Sequence, residues 1–486
     1  MDERGFKKRI ISAFAWRGAT KFLVQTVGWA STIFVARILL PSDYGLVAVS
    51  GLFIGFLGSV AGLGLADGLI NKQETTQEEE DGVFYLSLVA GFLMFLVVFL
   101  LAPFIANFFE MPLLVNVMRV SALVLVFSGL QVVPYAIAMR KMDFRYRSLV
   151  EMGGSLIAAL TAVALAMSGF GVWSLVLSVV LMRLFIALAY LPQLDRIPRR
   201  RLSYRKIKTV VDFGTTLMVS RLMFFFYSHA DVFIVGKLLG QKLVGYYSMA
   251  FQLAMIPLEK IGATFNEIAF PALSRVGKDR TSSKTLYLEL HRYLLIVSYP
   301  ILLGIVLVAE DAVIVLLTDK WAPTVPLLQL LCIGNLLRIS GMLMPAILAG
   351  LGKAGLTLRY NIASMIVLPT AFLIGVQFGL VGVACAWLVA YPPLYLLLMF
   401  YGFRELQLRL SEFAQSAKSA LVGSGLMVAA VMALKAYTVD MWTPGRLLMT
   451  VIVGGVVYLG TFVLFYRDQL AQVRRGFAIL RSGQKN

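Results

Sequence analysis

The sequence predicts an all-α polytopic membrane protein of about fourteen transmembrane helices. Three observations carry this. Hydrophobic residues make up 59% of the 486 positions, with a mean hydropathy of +0.83. Charged residues make up 14%, against about 25% in soluble domains. Apolar runs of roughly twenty residues recur from end to end, each long enough to cross the hydrocarbon core as a helix. A transmembrane β-barrel would instead show alternating segments of about ten residues.

The spans fall roughly at 14–36, 45–66, 83–107, 113–137, 149–168, 170–193, 212–239, 246–270, 291–309, 325–349, 360–378, 380–402, 417–436 and 446–465. With the N-terminus inside, the segments on the inside hold 29 of the 44 Lys and Arg. The positive-inside rule therefore orients both termini to the cytoplasm. The weakest segment joins the second and third spans, where Lys72 stands beside Glu74, Glu78, Glu79, Glu80 and Asp81. Arg4, Lys7, Lys8 and Arg9 resemble a signal-peptide n-region, but Arg17 and Lys21 interrupt the run that follows, so it reads as an uncleaved first span. Because the net charge of +18 sits mostly in such connections, it points to membrane topology and not to nucleic acid.

The longest basic connection runs from Asp195 to Lys208 and is the natural boundary between two halves. Residues 1–199 form an N-lobe of spans 1–6, residues 200–402 a C-lobe of spans 7–12, and residues 403–486 hold spans 13 and 14 and a tail. A shift of 200 lays Val35-Ala36-Arg37-Ile38-Leu39-Leu40 on Val235-Gly236-Lys237-Leu238-Leu239-Gly240, Gly45 on Gly245 and Lys21 on Arg221. Six spans separate the copies, so the repeat is parallel, and binding near the midplane at the repeat interface is the usual consequence.

Charged groups inside spans are costly and need water, a partner or a ligand. Arg17, Lys21 and Gln25 form a stripe along the first span; Arg17 also reads as a snorkelling residue. Arg221, Phe225, Ser228 and His229 share one face of the seventh span, with Asp231 a turn beyond. The eighth span offers Gln252, Glu259 and Asn266 at sevenfold spacing with Glu267 beside them, either as cavity lining or as internal ion pairs. Asn335 and Arg338 lie near the middle of the tenth, and Arg338 has no neighbouring acid in its own helix. The candidates for lining a cavity that takes an anionic, phosphate-bearing group or a sugar are Arg17, Lys21, Gln25, Arg221, Gln252, Asn266, Asn335 and Arg338. Arg suits phosphate by bidentate hydrogen bonds and Lys as a point charge. The candidates for proton or sodium coupling are His229, Asp231, Glu259 and Glu267, by their titration. Gly51, Gly55, Gly58 and Gly62 suggest close helix packing on the second span.

Enzyme chemistry finds no foothold. There is no GxxxxGK[ST] loop. His229 and His291 are too far apart for a helix-borne zinc pair, and Cys332 and Cys385 lie in apolar runs. No cofactor is expected.

The stretch Asp231-Val-Phe-Ile-Val-Gly-Lys-Leu-Leu-Gly, then Val244-Gly245-Tyr246-Tyr247-Ser248-Met249-Ala250 and Ala269-Phe270-Pro271-Ala272-Leu273-Ser274-Arg275, resembles the polysaccharide transporter family of Wzx-type flippases. That family belongs to the multidrug/oligosaccharidyl-lipid/polysaccharide (MOP) exporter superfamily. The resemblance implies two six-helix lobes around a cationic cavity, plus two C-terminal helices. It implies transfer of an undecaprenyl-diphosphate-linked oligosaccharide across the bacterial inner membrane by alternating access, for exopolysaccharide or O-antigen synthesis, among membrane lipids and beside polysaccharide polymerase and export machinery. Lys21, Arg221 and Arg338 would supply the cationic lumen. A lipid II flippase of the same superfamily, a drug/cation antiporter and, from another class, a membrane glycosyltransferase or polymerase stand as alternatives.

Overall fold

The computed structural model describes residues 26–62, 64–72, 75–141, 144–194, 196, 198, 204–276, 279–438 and 441–467. All regular structure among them is helical: α1 (Thr26–Ile38), α2 (Pro41–Gly62), α3 (Leu65–Asn71), α4 (Gln77–Phe109), α5 (Leu114–Ser121), α6 (Leu123–Arg140), α7 (Phe144–Met167), α8 (Val172–Tyr190), α9 (Tyr204–Leu238), α10 (Gln241–Val276), α11 (Arg280–Leu317), α12 (Thr324–Gly341), α13 (Met344–Gly350), α14 (Ala354–Gly375), α15 (Gly379–Leu406), α16 (Leu410–Tyr437) and α17 (Thr443–Phe465). Ten helical stretches among the described residues are long and apolar enough to cross a membrane; the longest, Gly355–Leu406, contains two expected spans. Helices α9 and α10 hold the seventh and eighth, and α1 the described part of the first. The expected fourteen spans are thereby accounted for, in a multi-pass membrane protein.

Several spans are interrupted. The second divides into α2 and α3 at Gly64, whose φ of +60° is left-handed and favours glycine. A Cβ there would also fall 2.4 Å from the Gly214 carbonyl of α9. The tenth divides into α12 and α13, with Pro345 in the first turn of α13, where its missing N–H costs no helical hydrogen bond.

The chain divides by packing into two compact units, Met1–Gly245 and Tyr246–Asn486. Packing along α2, α3 and α4 joins α9 to the first of these units. In the first unit, the repeat-equivalent glycines Gly45 and Gly245 meet at one crossing. A Cβ on Gly45 would lie 2.0 Å from the Gln241 carbonyl oxygen, and one on Gly245 would lie 1.8 Å from that of Pro41. On the glycine-rich face of α2, a Cβ on Gly55 or Gly58 would meet only side chains, Phe225 at 2.9 Å and Leu125 at 3.4 Å, and one on Gly51 or Gly62 would meet nothing within 4 Å among the described residues. The tightest backbone approaches therefore lie elsewhere than at that stripe.

Polar pairs gather at the helix ends. At one end of the first unit, Lys72 pairs with Glu79, Arg140 with Glu80 at 3.8 Å and Arg196 with Asp81 at 2.9 Å. Glu79 is thus met from within its own connection, and Glu80 and Asp81 by cations of the fourth–fifth and sixth–seventh connections. At the other end, Lys237 pairs with Glu110 at 2.9 Å and Gln241 donates to the Ser42 carbonyl at 3.1 Å. In the second unit, Glu405 faces Arg280 and Lys353, and Lys284 pairs with Glu412 at 2.7 Å. At its opposite end, buried Asp311 takes Arg446 and, at 3.4 Å, Lys435.

Candidate functional site

In the second unit, α12 carries two of the described polar candidates, Asn335 and Arg338. Asn335 is buried, and its Nδ2 donates to the Ala254 carbonyl of α10 at 2.8 Å. Its Oδ1 accepts from Arg338 Nη1 at 3.2 Å, one turn along the same helix. The Arg338 guanidinium lies 4.4 Å over the Trp387 ring of α15 and reaches Met255 Sδ at 3.4 Å. Trp387 is itself fixed by an Nε1 hydrogen bond of 3.2 Å to the Tyr247 hydroxyl. This cation–π seat holds the guanidinium without neutralising it. Among the described residues Arg338 pairs with no carboxylate, and its Nε and Nη2 make no hydrogen bond. A half-buried cation is thus held in place with donors to spare, the geometry that takes a carboxylate or phosphate oxygen.

Gln252, Met255 and Glu259 recur at i, i+3 and i+7 on α10 and so share a face. Arg338 touches the Met255 of that face. Gln252 and Glu259 are exposed. No described cation pairs with Glu259, so the internal ion pair weighed for it is not formed among described residues.

In the first unit, His229 stacks on Phe225 with ring centroids 4.2 Å apart. Its Nδ1 lies 3.0 Å from Ser228 Oγ and 3.1 Å from the Phe225 carbonyl. Those partners sit on its own helix, so these bonds serve local packing. Asp231 is fully buried, and its Oδ1 accepts from the Val232 N–H at 2.7 Å. Arg17, Lys21 and Gln25 lie outside the described residues. So do the side chains of Arg221, Asn266 and Glu267, although α9 and α10 carry their backbones.

The profile of the family described as "Polysaccharide biosynthesis protein" matches residues 34–326, more than half of the chain. The chain belongs to the polysaccharide biosynthesis protein family. Among relatives, it is 26% identical over 387 residues to the succinoglycan biosynthesis transport protein ExoT of Rhizobium meliloti, covering 76% of this chain and 77% of ExoT. It is 22% identical over 395 residues to the lipopolysaccharide biosynthesis protein WzxC of Escherichia coli, covering 79% of this chain and 78% of WzxC. Its fold is similar to that of the lipid II flippase MurJ in an inward closed conformation, with a TM-score of 0.75 at 15% identity, covering 94% of this chain and 100% of that one. A MurJ-like fold thus carries a sequence of the polysaccharide biosynthesis protein family.

Two polar centres of this family member lie outside the predicted site. His291 is a fully buried junction between helices, and Asp311 a fully buried ion-pair centre. In the sequence each lies beside other charged residues at the end of an apolar run, His291 next to Arg292 and Asp311 next to Glu310. Only the fold shows which distant Ser, Lys or Arg meets it.

Proposed function

We propose that the chain is a transporter, not an enzyme, and that it moves an undecaprenyl-diphosphate-linked oligosaccharide across the bacterial inner membrane by alternating access. Relatives named for polysaccharide transport and biosynthesis support this reading. The carrying observation is Arg338: a cation seated on Trp387, with free donors and no described counter-charge. A lone charge at the centre of a span costs about 2.5–3.5 kcal/mol on insertion scales, a cost that an anionic cargo offsets. The diphosphate is the part of such a lipid that hydrocarbon rejects most strongly. A fixed guanidinium in a wet cavity replaces its hydration, while the prenyl chain stays among lipids. Lys21 and Arg221 are proposed as further cations, and both termini as cytoplasmic. Coupling to protons or sodium is proposed through Asp231, with His229 the weaker candidate given its local bonds.

The test is genetic and chemical together. Deleting the gene in its own bacterium should remove the surface polysaccharide and accumulate the lipid-linked oligosaccharide inside. Arg338→Ala on a plasmid should fail to restore export at parental protein amounts. Unchanged surface polysaccharide in the deletion strain would reject the reading.

A further inference from the structure

His291 is fully buried in α11, and both of its ring nitrogens reach other helices. Nδ1 lies 2.9 Å from Ser416 Oγ of α16, and Nε2 lies 2.9 Å from Ser340 Oγ of α12. Ser340 Oγ continues at 2.9 Å to the Tyr395 hydroxyl of α15, and Ser416 Oγ donates to the Phe413 carbonyl at 2.6 Å. Tyr287 and Phe413 flank the imidazole at centroid distances of 5.5 and 4.6 Å. One side chain thus ties four helices together.

Ser340 lies two residues after Arg338 on α12. At about 100° per residue it points roughly 160–200° away from Arg338 and about 140° from Asn335. Helix α12 is therefore held in two directions around its axis, with Asn335 against α10 and Ser340 against α11, while α15 receives Arg338 on Trp387 and Ser340 on Tyr395. Inside a bilayer, apolar packing gives little preference for one helix rotation over another, so packing detail and interhelical hydrogen bonds decide it.

We propose that His291 is a positioning residue for the anion site: through Ser340 it fixes the rotation of α12 that presents Arg338. This rests on the reading of Arg338 given above. Histidine suits the junction because its two nitrogens bond in diverging directions. Leucine keeps the bulk and loses both bonds, whereas glutamine keeps one donor and one acceptor.

The test uses the full-length chain in membranes, with Cys332→Ala, Cys385→Ala and Arg338→Cys, and measures modification by a charged, membrane-impermeant methanethiosulfonate. Adding His291→Leu should slow modification at least fivefold, and His291→Gln should bring it back within twofold of the parent. Ser340→Ala, a smaller change, should slow it in the same direction. Tyr458→Phe, which removes the 2.6 Å bond from α17 to the Ile296 carbonyl of α11, should leave it unchanged. Equal rates in the parent, His291→Leu and Ser340→Ala would overturn the positioning role and leave the transport reading standing. An equal slowing by Tyr458→Phe would reduce His291 to general packing. A parent cysteine that does not react would overturn the water-facing anion site itself, and the positioning role with it.

Discussion

Asp311 and Arg338 are two charges drawn into the second unit and treated in opposite ways. Asp311 is fully buried and takes two cations, Arg446 and Lys435, from the helices on either side of the thirteenth–fourteenth connection. Arg338 is half-buried, rests on an aromatic ring and takes no described acid. The difference separates a charge that holds helices together from a charge left open for something that comes and goes. On the function proposed above, Asp311 finds its counter-charges within the chain, whereas Arg338 takes its counter-charge from the cargo.

The sharpest way to break this contrast is to remove Arg338. Arg338→Ala should cut polymer export more than tenfold while the protein stays in the membrane at parental amounts. Lys21→Ala and Arg221→Ala should do the same, and unaltered export in the double variant would remove both from the proposed substrate-holding cations. Asp311→Ala should do the reverse: it strands two cations, at a cost of about 3 kcal/mol, and should appear as a lower thermal midpoint and less protein. Replacing the whole triad, as Asp311→Leu with Lys435→Met and Arg446→Leu, should recover most of that stability, because matched apolar groups can replace a buried ion cluster.

Arg338→Lys should be milder, lowering export about two- to tenfold, because a point charge keeps the attraction and loses the fork. The smallest effect belongs to Asp279, the N-cap of α11, which lies outside the spans. Its carboxyl is held below the usual range first by the Ser282 hydroxyl and then by the Thr281 N–H. Its stabilising contribution is therefore present above the unfolded carboxylate pKa, about 3.9, and is lost as pH falls through the depressed folded value. Thermal midpoints of the detergent-solubilised parent and Asp279→Ala should differ at neutral pH and converge in acid.

The spans were legible because hydropathy alone sets them. Their interruptions were less so: the tenth reads as one apolar run from 325 to 349, yet it breaks between Gly341 and Met344. Sequence also singled out Asn335 and Arg338, since polar residues in an apolar run stand out without any knowledge of packing. It could not show that Arg338 sits on Trp387, 49 residues later, or that the acids at 79–81 are met by Lys72, Arg140 and Arg196. His291 escaped for the same reason. Its partners, Ser340 and Ser416, are common small residues that look unremarkable until the helices carrying them are placed side by side.

The most direct measurement is equilibrium binding of a radiolabelled undecaprenyl-diphosphate-linked oligosaccharide to the purified chain in lipid nanodiscs, parent against Arg338→Ala. At least tenfold weaker binding in the variant, with equal thermal midpoints for the two proteins, is the expected result. Affinities equal within twofold would mean that the guanidinium over Trp387 does not hold the diphosphate.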